Sequence, residues 1–547
     1  MKATKMPRIV RKIDALRQDI VAARARGKTV GLVPTMGALH EGHLELVRTA
    51  RRECDFVVAT VFVNPKQFGP REDFAKYPRD LRRDAGLLGS VGCDLVFAPS
   101  AEEMYPAGFR TTVSVEGMGE TLCGEVRPGH FAGVTLVVLK LLLAAMPDAA
   151  FFGEKDFQQL VIIKRMVHDL VLPTRIVAVP TVRDKDGLAL SSRNSYLAPH
   201  ERAIATSLYR SLELAKLLVA AGERTSRRIE AKMTSFLLDA GVTKIDYVAI
   251  VDPATLEPLA RLAGEGRVLV AAWVGSTRLI DNISVDPSVL AAHRPIKGDP
   301  VCVVLAAGEG KRMKSSLPKV LHRVGGQTMV ELVARACKEA GAAKTVAVIG
   351  HGAAEVRRAL APFGVETVLQ DVQRGTGHAV LQTFPLLRDF KGNVVVVSGD
   401  TPLVTAGTIG LLLEAHRAHR NSITFATSCA PDPTGYGRIL RDGCGKFLRI
   451  VEERDADDRT RQIREVNAGL YCFKSSALFG SLFLSTASNS QMEYYLTAAI
   501  DAVRAGGGRV EALLMENWQE LAGVNTPREL EAARREYAKR GRRGAGK

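Results

Sequence analysis

The chain has 547 residues and a mass of 59.1 kDa, enough for about three or four domains at roughly 100–200 residues each. Its 46% hydrophobic and 24% charged content excludes disorder as the main state and allows sizeable cores without disulfides. The net charge of +16 divides into +7 over residues 1–300 (41 basic, 34 acidic) and +9 over residues 301–547 (34 basic, 25 acidic), which suits anionic substrates such as phosphates and carboxylates.

Seven basic residues and one acidic lie in residues 534–547, so most of the second half's excess is terminal. None of the eight cysteines forms a C-x-x-C pair, which reads as reduced thiols in a cytoplasmic protein. No run reaches the ~20 apolar residues that span a bilayer, so no membrane partner is expected.

In chain order, Ile9, Ile13, Leu16 and Ile20 follow a helical period and predict an amphipathic first helix rather than a signal-peptide core, a pattern that a mitochondrial presequence shares. Residues 29–34, 56–64 and 94–99 read as buried parallel strands, with helices at 43–53 and 79–88 between them. This is the βαβ pattern of an open α/β sheet. Residues 131–147, interrupted by Lys140, read as a buried helix. A long helix at 199–222 follows Ser191–Asn194, and a second unit is expected from about residue 180. Pro287, Pro295, Gly298 and Pro300 mark residues 286–300 as an interdomain linker. The strand–helix pattern then restarts, with strands at 301–305, 345–349, 393–398 and 422–427 and helices at 328–340 and 353–361. Residues 541–547 read as disordered.

The segment Val33-Pro34-Thr35-Met36-Gly37-Ala38-Leu39-His40-Glu41-Gly42-His43 leaves a strand and enters a helix. Gly37 and Gly42 let a phosphate chain approach the backbone, and the helix N-terminus supplies free N–H groups. His40 and His43 fall on one face if that first turn is helical, and could donate to a triphosphate. H-x-G-H alone fits a nucleotide site about as well as it fits the alternatives together, two surface histidines beside a turn or a metal pair. Gln67 follows a strand, Lys155 sits beside a turn in Gly153-Glu154-Lys155-Asp156, and Ser191-Ser192-Arg193-Asn194 is a dense donor cluster of the kind that grips phosphate. Arg127 and His130 form a further basic turn, either part of that site or a solvated loop.

Together, VPTMGALHEGH, FVNPKQF, EDFAKYPRD, RPGHF, GEKDFQQ and PTVRDKDGLALSSRN resemble the pantothenate synthetase (pantoate–β-alanine ligase) family, in order and spacing, over roughly residues 1–285. The resemblance implies a Rossmann-like HxGH nucleotidyltransferase fold at 1–179 and a small α+β subdomain at 180–285. It implies formation of pantoyl adenylate from ATP and pantoate, then attack by β-alanine. ATP would meet Met36, Gly37, Ala38, Leu39, His40, Glu41, Gly42, His43, Gly153, Glu154, Lys155, Asp156, Val182, Leu190, Ser191, Ser192 and Arg193. His43 would be the proton donor, and Gln67 and Gln159 would hold pantoate, with Gln67 also near β-alanine. Leu190 stands where methionine is usual, a volume-conserving change. The family also implies a homodimer.

In the second half, Leu305-Ala306-Ala307-Gly308-Glu309-Gly310-Lys311-Arg312-Met313 follows a strand, and Lys319 comes shortly after. Arg312 and Lys319 can neutralise a triphosphate. Met313 replaces the third glycine of G-x-G-x-x-G, which disfavours a dinucleotide fold. Asp400 just past an apolar strand is either a Mg²⁺ ligand or a turn aspartate. With LPKVLH, LQDVQRGTGHA, SGDTPL, GYGRI, IVEERDADDRTRQIREVNAGL, EYYLT and AGVN, this half resembles the uridylyltransferase domain of the bacterial N-acetylglucosamine-1-phosphate uridylyltransferase family over roughly residues 301–530. The resemblance implies a second Rossmann-like domain and Mg²⁺-dependent transfer of UMP from UTP to N-acetylglucosamine 1-phosphate. Leu305, Ala306, Ala307, Gly308, Lys319, Gln370, Gly375, Thr376, Ser398, Gly399 and Asp400 would meet the nucleotide. Gly437, Glu452 and Asn467 would meet the sugar, and Asp400 and Asn525 the metal.

Lys311, Thr401, Thr526 and Ala498 depart from the family pattern without removing one of these ligands. The family commonly continues into an acetylating β-helix, and a chain that stops before it should lack that activity. Residues 531–547 remain as a basic tail. Two rival expectations are a second half that binds a UDP-sugar without turnover, and a nucleic-acid binder that uses the tail; retention of Lys319, Asp400 and Asn525 argues against the first, and the lack of an RNA-binding motif against the second.

Overall fold

The apolar runs of the first half become six short strands: β1 (Arg8–Val10), β2 (Val30–Val33), β3 (Phe56–Thr60), β4 (Leu95–Phe97), β5 (Ala149–Gly153) and β6 (Arg175–Val179). A computed structural model describes residues 6–69, 74, 77–289, 296–484 and 494–544. The strand order is β1-β4-β3-β2-β5-β6, with every neighbouring pair parallel. Such a sheet is covered on both faces, which is why β2 is buried along its whole length. The order reverses between β2 and β5, and that reversal opens a crevice at the carboxyl ends of the strands. Helix Glu41–Glu53 leaves β2, and helix Phe157–Asp169 leaves β5 through the turn Glu154–Asp156.

The largely apolar helix His130–Ala145 packs under the sheet with Val134, Val138 and Leu141 in the core. At Gly133 a Cβ would lie 2.2 Å from the Lys66 carbonyl oxygen, so only glycine allows this helix to press against the turn Pro65–Gln67. An antiparallel sheet of β7 (Lys244–Val251), β8 (Gly266–Val274) and β9 (Thr277–Val285) shares a core with Phe157, Val161 and Ile162 through Val251 and Leu269.

Residues fall into two compact units, Met1–Val219 with Glu223–Val289, and Ala220–Gly222 with Leu290–Lys547. Of the expected linker at 286–300, residues 290–295 lie outside the described residues.

The second unit is built on β10 (Val301–Ala306), a small hairpin of β11 (Arg323–Val324) and β12 (Gln327–Thr328), then β13 (Lys344–Ile349), β14 (Glu366–Leu369), β15 (Asn393–Ser398), β16 (Ile423–Cys429), β17 (Arg438–Arg441), β18 (Phe447–Val451), β19 (Glu465–Lys474) and β20 (Val510–Leu514). The main sheet runs β14-β13-β10-β15-β19-β16-β20, with β17 and β18 at its side. β10 lies parallel to both β13 and β15, so the reversal falls at β10 and the loops after β10 and β15 meet beside it. β19 runs antiparallel to both β15 and β16.

Two expectations need correction. Ile9 does not belong to the first helix: it sits in β1, paired with Val96, and the helix starts at Ile13. Ile9 lies four residues before Ile13, so the spacing across the strand–helix junction mimics a helical period. The expected disorder at 541–547 is corrected over its first four residues, which belong to helix Pro527–Gly544; residues 545–547 lie outside the described residues. That helix is anchored by Leu530 and Ala533, which share a buried cluster with Met313, Val324, Leu332, Leu403 and Val524. Among the described residues no helix is long and apolar enough to cross a membrane.

Candidate active sites

In the first unit the H-x-G-H segment caps its own helix. His40 is the N-cap residue, and its Nδ1 accepts from Gly42 N at 3.2 Å. His43 Nδ1 accepts in turn from His40 N at 3.4 Å, and the two rings lie 4.1 Å apart. Each Nδ1 is therefore an acceptor, which leaves the remaining ring proton on Nε2 of a neutral imidazole. Neutrality is enforced electrostatically. Burial lowers the His43 pKa to about 3, helped by His40 and Lys155. Burial and then Lys155 lower His40 to about 4, against an opposing pull from Asp156. Both rings are thus uncharged hydrogen-bond donors at neutral pH.

The loop before them is held by a residue that sequence reasoning missed. Asp84, 1% exposed, accepts from Ala38 N and Leu39 N at 3.0 Å each. Gly37 has φ +83°, and a Cβ there would lie 2.9 Å from the same carboxylate. Asp84 reads in sequence as an ordinary first-turn helix acid; nothing in its local pattern reveals a partner 45 residues away.

A cavity of about 900 Å³ lies nearby, lined by Gln67, Gln159, Lys155, Asp156, Ser191 and Arg193, together with Arg127 and His130. Gln67 is oriented by Asn64, whose side-chain amide donates to Gln67 Oε1 at 3.2 Å and to Gly133 O at 3.0 Å. His130 Nδ1 pairs with Gln67 O at 2.7 Å, so the basic turn belongs to the cavity wall. The turn carrying Gly153 and Glu154 is fixed from the small sheet. Asn282 donates to Glu154 O and Lys155 O at 2.9 Å each, and Arg267 bridges Asn282 and the Glu154 carboxylate. Arg183 forms a two-point pair with Asp281, and Leu190 N donates to Val182 O at 3.0 Å, closing the loop that presents Ser191, Ser192 and Arg193. A Cβ on Gly42 would lie 3.8 Å from Leu190 Cβ, so this loop sits against the histidine turn. Of the motif at 72–80, residues 72, 73, 75 and 76 lie outside the described residues.

In the second unit the structure brings together the candidate phosphate and metal residues. Gly399 N donates to Leu305 O at 2.9 Å, binding the loop after β15 to the end of β10. Asp400 accepts from the Ser398 hydroxyl at 2.7 Å and from the Lys319 ammonium. Asn525 Oδ1 accepts from Lys319 at 3.0 Å and from Arg312 at 2.9 Å. Burial pushes the Asp400 carboxyl up, but Lys319 and Ser398 outweigh it and hold the group below its usual range. Glu529 accepts from the backbone N–H of Asn525 and Thr526 at 2.7 and 2.8 Å, which fastens Asn525 to the start of the last helix.

Two further groups flank this network. Gln370 donates to Gly375 O at 3.3 Å and pairs with His378 Nδ1 at 2.9 Å, Thr376 Oγ1 accepts from Leu496 N at 3.0 Å, and Ala307 O accepts from His351 N at 3.2 Å. Ala306 ends β10, and a Cβ on Gly308 would meet open space. On the other side Asn467 N donates to Gly437 O at 2.8 Å, and a Cβ on Gly437 would lie 3.1 Å from Glu452 Oε2. Burial raises the Glu452 carboxyl, against a hydrogen bond from Thr497 at 3.0 Å. Glu493 of the motif at 493–497 lies outside the described residues.

The family model for pantoate-beta-alanine ligase matches residues 8–284, and that for the MobA-like NTP transferase domain matches residues 302–465. Pantothenate synthetase of Moorella thermoacetica is 55% identical over 278 residues, covering 51% of this chain and 98% of that protein. The enzyme of the same name from Paramagnetospirillum magneticum is 53% identical over 279 residues, with 51% and 98% covered. A crystal structure of pantothenate synthetase from Thermus thermophilus is 49% identical, covers 50% of this chain and 98% of that chain, and has a TM-score of 0.48. Through its first half the chain belongs to the pantoate–β-alanine ligase family, and it joins to that ligase a nucleotidyltransferase domain.

Proposed function

We propose that the first unit makes pantothenate from ATP, pantoate and β-alanine, and that the second transfers UMP from UTP to N-acetylglucosamine 1-phosphate. The ligase reading is carried by one observation: Gln67, Gln159, Lys155 and Arg193 share a cavity beside a histidine turn at the strand-order reversal. ATP would lie along residues 36–43 and the turns at 153–156 and 190–193. The pantoate carboxylate, oriented by Gln67 and Gln159, attacks the α-phosphorus; an O–P bond forms and the bond to pyrophosphate breaks. Lys155 and Arg193 offset the charge on the leaving pyrophosphate, while Nε2–H of His40 and His43 donates to it without adding a full charge. The β-alanine amine then forms the amide bond at the acyl carbon, and AMP leaves. Neutral glutamines suit pantoate because they bind hydroxyls and a carboxylate without repelling either.

The transferase reading is carried by the Lys319, Asp400, Asn525 and Arg312 network at the ends of β10 and β15. The donors present, one carboxylate and one amide oxygen, are hard oxygens of the kind that hold Mg²⁺ together with substrate phosphates. When bound, the ion would neutralise phosphate charge. Lys319 and Arg312 would do the same from the protein side, while Gly437, Glu452 and Asn467 hold the sugar phosphate for in-line attack at the α-phosphorus of UTP. Gln370, Gly375 and Thr376 would flank the base.

The test is a product assay. ATP, pantoate and β-alanine in one tube should give pantothenate, AMP and pyrophosphate. UTP with N-acetylglucosamine 1-phosphate and competing sugar 1-phosphates in others should give UDP-N-acetylglucosamine first. Absence of pantothenate would sink the first assignment, and turnover of another sugar in preference would sink the second. We further propose a homodimer through the ligase half, checked by mass from light scattering on the full chain.

A further inference from the structure

In the second unit the oxygens assigned to a divalent cation are already in use. Asp400 Oδ2 accepts from Lys319 and Oδ1 from Ser398. Asn525 Oδ1 accepts from both Lys319 and Arg312. A carbonyl oxygen has two lone pairs, so Asn525 has none left for a metal. Lys319 Nζ stands where the two oxygens converge. The side chains of Lys319 and Asp400 are 15% and 13% exposed, so solvent and salt screen this pair weakly.

We propose that Lys319 is an ammonium placeholder for the cation. Without nucleotide it neutralises Asp400 and keeps Asn525 turned inward, and it must vacate this position before a divalent ion can be held there. An ammonium on a flexible four-carbon stem suits that movement, and a phosphate is the anion that would receive it. Arg312 keeps its own bond to Asn525 meanwhile. Cation and triphosphate therefore raise one another's affinity, since each gives Lys319 a reason to move or a place to go. The inference rests on the reading of this site as a cation-dependent nucleotidyltransferase.

If Lys319 served only to hold these loops in place, its loss would let Asp400 and Asn525 move apart, and cation affinity would stay unchanged or fall despite the charge removed. The experiment is titration of the full chain with Mn²⁺ alone, without nucleotide, following free Mn²⁺ by electron paramagnetic resonance. Lys319→Met should gain a site that binds Mn²⁺ at least about fivefold tighter than the wild type, the low end of ordinary coupling between sites. Adding Asp400→Asn should remove that gain. Equal or weaker binding by Lys319→Met overturns the proposal. If this variant melts well below the wild type, Lys319→Gln makes the same comparison, and failure of a folded Lys319→Gln to tighten binding overturns it as well. UTP turnover by the wild type is scored separately. Tightening without turnover removes the assigned reaction and leaves the placeholder, whereas turnover without tightening removes the placeholder alone.

Discussion

The two units set their functional loops at the same topological point, the reversal of strand order at the carboxyl ends of parallel strands, yet they store charge in opposite ways. In the first, the two histidines of the helix's N-terminal turn are neutral, because burial and a neighbouring lysine make imidazolium costly. Its buried carboxylate, Asp84, faces backbone N–H groups and shapes a loop. In the second, the buried carboxylate Asp400 faces an ammonium, and a guanidinium completes the network through Asn525. A sequestered acid thus has two kinds of partner: backbone amides make it a clamp, and side-chain cations make it part of a charged network.

The sharpest way to break this comparison is a double dissociation. Lys155→Ala or His43→Ala should lower pantoate-dependent ATP–pyrophosphate exchange by at least about 10²-fold, the scale for loss of one transition-state donor, and leave exchange of pyrophosphate with UDP-N-acetylglucosamine untouched. Asp400→Ala should do the reverse. A variant that depresses both reactions would show that the units do not work separately. Next in size, Asp84→Asn should destabilise the first unit by about 1–3 kcal/mol, because an amide nitrogen then faces a backbone donor. It should also raise KM for ATP, read from denaturation and initial rates. A smaller loss is expected for Arg540→Ala, which removes the bond to Leu403 O at 2.9 Å: about 0.5–1.5 kcal/mol in the second unit's stability.

The last expectation concerns pH. Histidines whose folded pKa lies below the unfolded value bind fewer protons in the native state, so stability rises with pH. For His40 and His43 the contribution is complete above the unfolded histidine value of 6.5 and falls as pH drops toward the folded values of about 4 and about 3. The adenylation rate should show no histidine step between about pH 6 and 8. A step near pH 6.5 that disappears in His40→Asn would place a charged imidazole where the structure has a neutral one.

Much of this arrangement was legible in the sequence. Strands buried on both faces are unbroken apolar runs, so β2, β10 and β15 could be located closely, and the motif residues cluster because loops at strand ends carry them. What could not be read were long-range partners: Asp84 beneath the histidine loop, and Asn282 and Arg267 fastening the turn at Lys155 from another sheet. The last helix was misread for a different reason. Its arginines and glycines suggest a solvated end, and they overshadow Leu530, Ala533 and Tyr537, whose spacing of three and four marks one helical face.

That helix has a mechanical consequence. It starts at Pro527, two residues after Asn525, and Glu529 in its first turn grips the Asn525 backbone. Arg534 donates to Arg323 O at 3.0 Å, while Arg540 reaches Leu403 O in the loop beyond Asp400. The helix ties the proposed site together from both ends: its first turn holds Asn525, and its far end holds the loop after Asp400. A fluorophore on exposed Arg535 should therefore report nucleotide entering a site to which it is not itself bonded.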